Sequence, residues 1–117
     1  MLDMFGMISN YEERKIANTK VGKAEIDTCK VTDVYAIAET GIKHPQYNEG
    51  KWIIVEEYHS VEEAKNGHKK WVAVFKKGLP EELKDVSSFI FKQLADIMGN
   101  DPTHKRSELK KRKEKKS

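Results

Sequence analysis

The apolar positions of the chain concentrate in a central stretch, where a strand pattern is followed by a helix pattern. Trp52–Tyr58 begins with four apolar residues in a row, which favours a strand in the middle of a covered sheet over one at its edge. Ser60 and Glu63 form a capping box, which marks the start of a helix. That helix then carries one apolar stripe at helical spacing, made of Val61, Ala64, His68, Trp71, Val72 and Phe75.

Three further strands are predicted before the central one. Tyr11–Ala17 and Lys23–Thr32 are separated by residues 18–22, whose Asn and Gly suit a hairpin loop. The apolar phase of the second strand shifts by one residue, which indicates a bulge near Thr28. Val34–Thr40 is the third strand, although its alanines leave a short helix as the alternative.

The region after the central helix has a second amphipathic pattern. A short helix is expected to open at Pro80, and Asp85 caps a longer one. Phe91 lies off the stripe of that helix, so we regard it as a candidate contact in a homo-oligomer. The stripe itself consists of Val86, Phe89, Ile90, Leu94, Ile97 and Met98.

This order of elements predicts the fold class. Strands followed by helices indicate an α+β domain, which we place at residues 1–99. We expect an antiparallel meander sheet of about four strands, covered on one face by two C-terminal helices. Residues 100–117 are expected to form a basic, flexible tail.

Charge is distributed unevenly between these two parts. The net charge is +3, but residues 100–117 hold eight Lys or Arg against three acidic residues, and residues 1–99 hold fourteen against sixteen. The domain itself therefore does not resemble a general nucleic-acid binder. The tail is either a solvated end that aids solubility or an arm that binds nucleic-acid phosphates. In the second case its binding residues are Lys105, Arg106, Lys110, Lys111, Arg112 and Lys113.

The chemistry-bearing residues give little support to catalysis. Cys29 is the single cysteine, which excludes an intrachain disulfide and suits a reducing cytoplasm. No pair of His or Cys residues has zinc-site spacing, and there is no phosphate-binding glycine motif, so we expect no metal and no cofactor. A Cys29–His68 nucleophile pair is formally possible. Met1–Phe5 shows neither a signal-peptide pattern nor a membrane span. We expect a cytoplasmic, non-enzymatic protein.

The loop Gly41–Gly50 is the best candidate for a ligand site. It is longer than most hairpin loops, and long loops are often functional. Together with the adjacent Trp52, its His44, Tyr47 and Asn48 suit a flat polar ligand. The alternative is a rigid connector in which Tyr47 packs on the core. His68, on the apolar helix stripe, is either a core histidine or a ligand contact.

Two segments carry a resemblance to known proteins. Residues 39–58 and 63–72 resemble a group of small uncharacterised proteins encoded by tailed bacteriophages and prophages of Gram-positive bacteria. The resemblance covers Met4–Met98 and leaves out the basic tail. It is a similarity of sequence over these two segments and not a match to a catalytic motif, and it implies no active residues.

The resemblance implies a context. Small phage accessory proteins often neutralise a host component, and one class of similar size forms oligomers that sequester cyclic nucleotide immune signals. For such a homo-oligomer in the infected bacterium, the candidate ligand-binding residues are Lys43, His44, Tyr47, Asn48, Trp52, His68, Lys69 and Trp71. Two alternatives are a nucleic-acid-associated protein acting through the basic tail and a direct inhibitor of a host protein using the helix face of Phe91.

Overall fold

The computed structural model describes residues 12–31, 36–86 and 103–107 of the chain. A four-stranded antiparallel sheet, in the order β1-β2-β3-β4, packs on one face against a single long helix. The predicted α+β class with an antiparallel meander is therefore confirmed. The strands of this sheet are β1 (Lys15–Val21), β2 (Ala24–Lys30), β3 (Ala38–Lys43) and β4 (Ile53–Tyr58), and the helix is α1 (Val61–Lys77). A second, two-stranded sheet consists of β5 (Glu82–Lys84) and β6 (Thr103–Lys105).

The first hairpin is tighter than predicted. β1 continues to Val21, whose register partner is Ala24, so only Gly22 and Lys23 form the turn. Gly22 has a φ of 60°, which suits a two-residue turn with glycine in its first position. The expected loop at residues 18–22 is thus wrong, because its polar side chains belong to a strand with one solvated face.

Two register irregularities bend the sheet. Lys15 pairs with Cys29 and Ala17 with Thr28, so a bulge lies beside Thr28 as predicted. Its extra residue, Ile16, belongs to β1 rather than to β2. In β4, Val55 is the extra residue, because Thr40 pairs with Glu56 and Gly41 pairs with Ile54.

β3 runs further along the chain than predicted, since it extends through Gly41 and Ile42 to Lys43. Residues 34 and 35, the start of the predicted strand, lie outside the described residues. Ile42 is buried between β2 and β4. Gly41 gives room to the Trp52 ring, since a Cβ there would lie 3.2 Å from Trp52 Cε3. The connection to β4 is therefore residues 44–52.

β4 was expected in the middle of the sheet, and that position is wrong within the described strands, where β4 is an end strand. Its apolar run has two other causes. Ile53 and Val55 both reach the core, because residues two apart on a strand share a face. The outer edge of β4 is also partly covered, since Val86 N donates to Ile54 O at 2.8 Å.

Helix α1 begins where the capping box predicts. Glu63 N donates to Ser60 Oγ at 3.1 Å, and Glu63 Oε1 accepts from His59 N at 2.8 Å. Of the predicted stripe, Ala64, His68 and Phe75 are buried, and Val61, Trp71 and Val72 are half-buried. Buried Gly67 was missed; the ring of Tyr58 occupies the place where its Cβ would be. The main core consists of Ala24, Ile26, Ile42, Tyr47, Ile53, Val55, Phe75 and Leu83.

The chain after α1 departs most from the predictions. Glu82–Lys84 is a strand rather than part of a short helix. The second helix expected from Val86 to Met98, with Phe91, lies outside the described residues beyond Val86, so the described part of the chain contains one long helix. No described helix is long and apolar enough to cross a membrane.

The tail prediction is wrong for residues 103–107, because Thr103–Lys105 pairs with β5. The cause is a contact between residues that are distant in the sequence. Leu83 is buried in the core and holds β5 in place. The backbone groups of β5 then find hydrogen-bond partners in Thr103–Lys105. Of the predicted tail cations, Lys105 and Arg106 therefore belong to the folded part. Lys110, Lys111, Arg112 and Lys113 lie outside the described residues.

Candidate functional site

The connection between β3 and β4 starts with a turn around His44. Gln46 N donates to His44 Nδ1 at 3.0 Å, and Tyr47 N donates to His44 O at 3.1 Å. Because Nδ1 accepts a hydrogen bond, the neutral ring carries its proton on Nε2. Burial, and then the charge of Lys23, lower the pKa of His44 below its ordinary value. Near neutral pH His44 is thus an N–H donor without charge.

The second half of this connection turns the chain back to the sheet. Asn48, Glu49 and Gly50 have φ values of 50°, 55° and 81°, three left-handed residues in a row. Asn and Gly tolerate this region better than other residues do. Asn48 Nδ2 also reaches Trp52 O at 3.4 Å. Residues 48–50, for which the sequence predicted a turn, do form one, and Glu49 and Gly50 of this turn line the cleft described next.

An open cleft lies where this loop meets the β1–β2 turn. Its volume is about 570 Å³. The cleft lies at one end of the sheet, so strand ends and loops form its walls rather than the core. Its polar side chains are Lys20, Lys23, Glu25, Lys43, His44 and Glu49.

The lysines and the glutamates of this cleft differ in their contacts. Within the described residues, Lys20, Lys23 and Lys43 make no ion pair. Glu25 accepts a hydrogen bond from Asn18 Nδ2 at 3.0 Å, and Glu49 lies 4.0 Å from Lys51 Nζ. Three lysines against two glutamates therefore line the cleft, and this balance favours an anion over a cation.

An exposed aromatic ring adjoins the cleft. Lys43 Nζ lies 5.8 Å from the centroid of the Trp52 ring. Trp52 is 42% exposed, one of the two large exposed apolar residues of the described chain. The lysine can thus neutralise a phosphate while the neighbouring ring remains free to stack on a flat group.

Tyr47, predicted as a ligand contact, belongs to the core. It is 1% exposed, and its ring meets Phe75 edge-on at 6.5 Å between centroids. Its hydroxyl donates to Pro80 O. The alternative interpretation, that Tyr47 packs back on the core, is the correct one. Mutating this residue would test the fold and not the cleft.

His68 and Trp71 lie in a second polar group between α1 and the sheet. Thr19 Oγ1 is 2.9 Å from His68 Nε2, and Thr28 Oγ1 is 2.7 Å from His68 Nδ1. Thr28 Oγ1 is also 2.6 Å from Thr40 Oγ1, which is 2.8 Å from Tyr58 Oη. We call these five side chains the polar layer.

The carboxylate of Glu56 sets the direction of this chain of hydrogen bonds. Because a carboxylate only accepts, Tyr58 donates to Glu56 Oε1, at 3.3 Å. Each hydroxyl has one proton, so Thr40 donates to Tyr58 and Thr28 donates to Thr40. Thr28 must then accept from His68, whose proton lies on Nδ1. The other ring nitrogen of His68, Nε2, accepts a hydrogen bond from the hydroxyl of Thr19.

The same carboxylate is bound from the helix side. Lys70 Nζ and Trp71 Nε1 donate to Glu56 Oε1 at 2.6 and 2.9 Å. Burial raises the pKa of Glu56, but the hydrogen bonds from Lys70 and Trp71 outweigh it, and the net pKa is lowered. Burial lowers the pKa of His68, against a smaller opposing effect of Asp27. His68 and Trp71 are therefore structural residues that join the helix to the sheet.

The predicted ligand set thus divides into separate places. Lys43 and His44 line the cleft, Trp52 adjoins it, and Asn48 supports its loop. Exposed Lys69 lies on the helix beside His68 and Thr19, at a different, smaller surface depression. Sequence reasoning missed Lys20 and Lys23. Their positions around the predicted hairpin turn were the signal, because such a turn lies at a sheet end.

Cys29 does not form a nucleophile pair with His68. Thr28 contacts His68, so its neighbour Cys29 points to the opposite face of β2. Burial, followed by the charges of Asp27 and Glu39, raises the pKa of the Cys29 thiol to about 11. The thiol stays protonated at neutral pH. Among the described residues, no three His, Cys, Asp or Glu side chains cluster as metal ligands.

Fold and site together define an α+β protein with a cationic cleft at one end of its sheet. Compared with known protein families, with curated proteins and with solved structures, the chain has no match in any of the three. A proposal about its function therefore depends on the chemistry of its own residues.

Proposed function

We propose that this protein is a non-enzymatic binding protein that sequesters a small anionic ligand of nucleotide type. The observation that carries the proposal is the cleft, which Lys20, Lys23 and Lys43 line without an ion pair to any described residue. Clustered ammonium groups repel one another, and a bound anion relieves that repulsion.

Each part of the cleft supports a different part of such a ligand. The lysines suit phosphate oxygens, and His44 supplies one directional N–H donor. Trp52 suits the face of a base. Glu25 and Glu49 also line the cleft and oppose a purely anionic ligand, but they are compatible with the donor groups of a base or ribose.

The biological setting is part of the same proposal. The resemblance to small phage proteins supports an accessory protein that binds a host immune signal in the cytoplasm of an infected bacterium. A homo-oligomer fits this setting, since the cleft is open and a second subunit could cover the ligand.

A titration with inorganic pyrophosphate and with adenosine monophosphate tests the proposal. We expect calorimetry to show binding of both probes, weakened by salt as expected for ammonium–phosphate contacts. Lys23→Gln and Lys43→Gln should each lower the affinity roughly tenfold, the effect of losing one charged hydrogen bond. Lys65→Gln, on the exposed side of α1, is the matched control and should change nothing.

A tryptophan variant distinguishes the contribution of the base to binding from that of the phosphate. Trp52→Ala should lower the affinity for adenosine monophosphate on the order of tenfold and leave the affinity for pyrophosphate unchanged, because only the nucleotide has a ring to stack. If the wild type binds neither probe, or if the cleft variants bind as the Lys65→Gln control does, the proposed function is wrong.

A further inference from the structure

Three consecutive carbonyl groups form the junction between the ligand loop and the C-terminal segment. Leu79 O accepts from Arg106 Nη1 at 2.7 Å, and Glu81 O accepts from Arg106 N at 2.9 Å. Between them, Pro80 O accepts from the hydroxyl of Tyr47. The turn after α1 is thus held from one side by the loop and from the other by Arg106.

Ser107 makes a direct contact with the loop. Its backbone N–H donates to Gln46 O at 2.8 Å. Gln46 is also the residue whose own N–H donates to His44 Nδ1 at 3.0 Å. Two hydrogen bonds therefore connect the C-terminal segment to the imidazole at the cleft wall, through a single residue.

We infer that Arg106 and Ser107 are positioning residues of the cleft. Ser107 binds Gln46 directly, and Arg106 holds the segment that carries Ser107 against the turn after α1. Gln46 in turn keeps His44 in the tautomer that presents Nε2–H. Neither residue lines the cleft, so both act through the loop. This inference rests on the proposed function for its consequence in binding, while its effect on the His44 ring can be measured without any ligand.

The inference also separates two roles of the C-terminal residues. Residues 103–107 support the loop, whereas most of the basic residues of the segment 100–117 follow Ser107 in the sequence. A truncation that begins before Thr103 removes both at once and cannot tell a phosphate-binding tail from a loop support. A truncation after Ser107 removes the later basic residues alone.

The decisive variant is Ser107→Pro, which removes the N–H that binds Gln46 O. Ser107→Ala keeps that N–H and is the matched control. In the full-length protein, nitrogen-15 NMR of the His44 ring should show mixed tautomers in Ser107→Pro and the wild-type tautomer in Ser107→Ala. Pyrophosphate affinity should fall on the order of fivefold in the proline variant only, as expected for one hydrogen bond.

A second variant covers the case in which Ser107→Pro fails to fold. Arg106→Met removes the guanidinium contact to Leu79 O and keeps the aliphatic stem, so we expect the same shift of the His44 ring to a smaller extent. An unchanged His44 ring in a folded Ser107→Pro or Arg106→Met protein would overturn the inference. A shifted ring without pyrophosphate binding in any variant would support the positioning role and overturn the proposed function alone.

Discussion

The protein contains two buried histidines in contrasting surroundings. His44 is 4% exposed and His68 is 5% exposed, and burial lowers the pKa of both. His68 uses both ring nitrogens for hydrogen bonds inside the polar layer. For His44, the described residues supply a partner to Nδ1 alone, and the ring stands at the wall of a cleft with three lysines.

This difference teaches that burial and a shifted pKa do not by themselves identify a binding residue. The polar layer is closed, because each proton in it has an assigned acceptor. The cleft end of the sheet is open, because within the described chain its lysines make no ion pair and the Nε2–H of His44 has no acceptor. We therefore expect changes in the layer to affect stability and changes in the cleft to affect binding.

The largest expected effect separates two aromatic residues predicted together as ligand contacts. Tyr47→Ala should destabilise the protein by about 3–5 kcal/mol, because it leaves a cavity in the core beside Phe75. Trp52→Ala, at the open end, should cost about 1 kcal/mol or less. Urea denaturation of both variants measures the difference. Equal losses would remove the distinction between the closed and open regions.

A smaller loss is expected at Gly67. A Cβ there would overlap the ring and hydroxyl of Tyr58, so Gly67→Ala must displace a buried side chain that is hydrogen-bonded to Thr40 and Glu56. We expect destabilisation of about 2 kcal/mol despite the better helix propensity of alanine. Asn66→Ala, on the exposed side of the same turn, is the control and should be neutral or stabilising. A Gly67→Ala protein as stable as wild type would contradict this packing.

The hydroxyl of Thr28 provides the next test. Thr28→Val keeps the shape of the side chain but leaves the Nδ1–H of His68 without an acceptor, at a cost of about 1–3 kcal/mol. Thr28→Ser retains the hydroxyl and should lose less. Thermal or urea unfolding compares the two variants. If valine is tolerated better than serine, the hydroxyl of Thr28 does not stabilise the protein through its hydrogen bond to His68.

The smallest effect concerns pH. Since folding lowers the pKa of His44 and His68 below their ordinary value of 6.5, the unfolded chain binds protons more readily. Their contribution to stability is complete above pH 6.5 and is lost as pH falls below it. The urea midpoint should drop between about pH 7.5 and about pH 5.5, and less so in His68→Gln. A midpoint equally pH-dependent in His68→Gln would exclude His68 as a source.

The sequence predicted the parts of the fold that depend on local patterns. The α+β class, the antiparallel meander, the N-terminus of α1 at Ser60 and the bulge beside Thr28 follow from periodicity and capping chemistry, which act over a few residues. Part of the candidate site was also predicted, namely Lys43, His44 and the adjacent Trp52.

Tertiary structure decided everything that depends on contacts between distant residues. Thr103–Lys105 became a strand because Leu83 is buried next to it, and Tyr47 became core because Phe75 meets its ring. Both histidines were candidate ligand contacts in the sequence, and the partners of their ring nitrogens distinguish their roles. The partners of His68 lie on two distant strands, so no local pattern could have assigned it to the polar layer. The partner of His44 is local, but the cleft beside it forms only where its loop meets the β1–β2 turn.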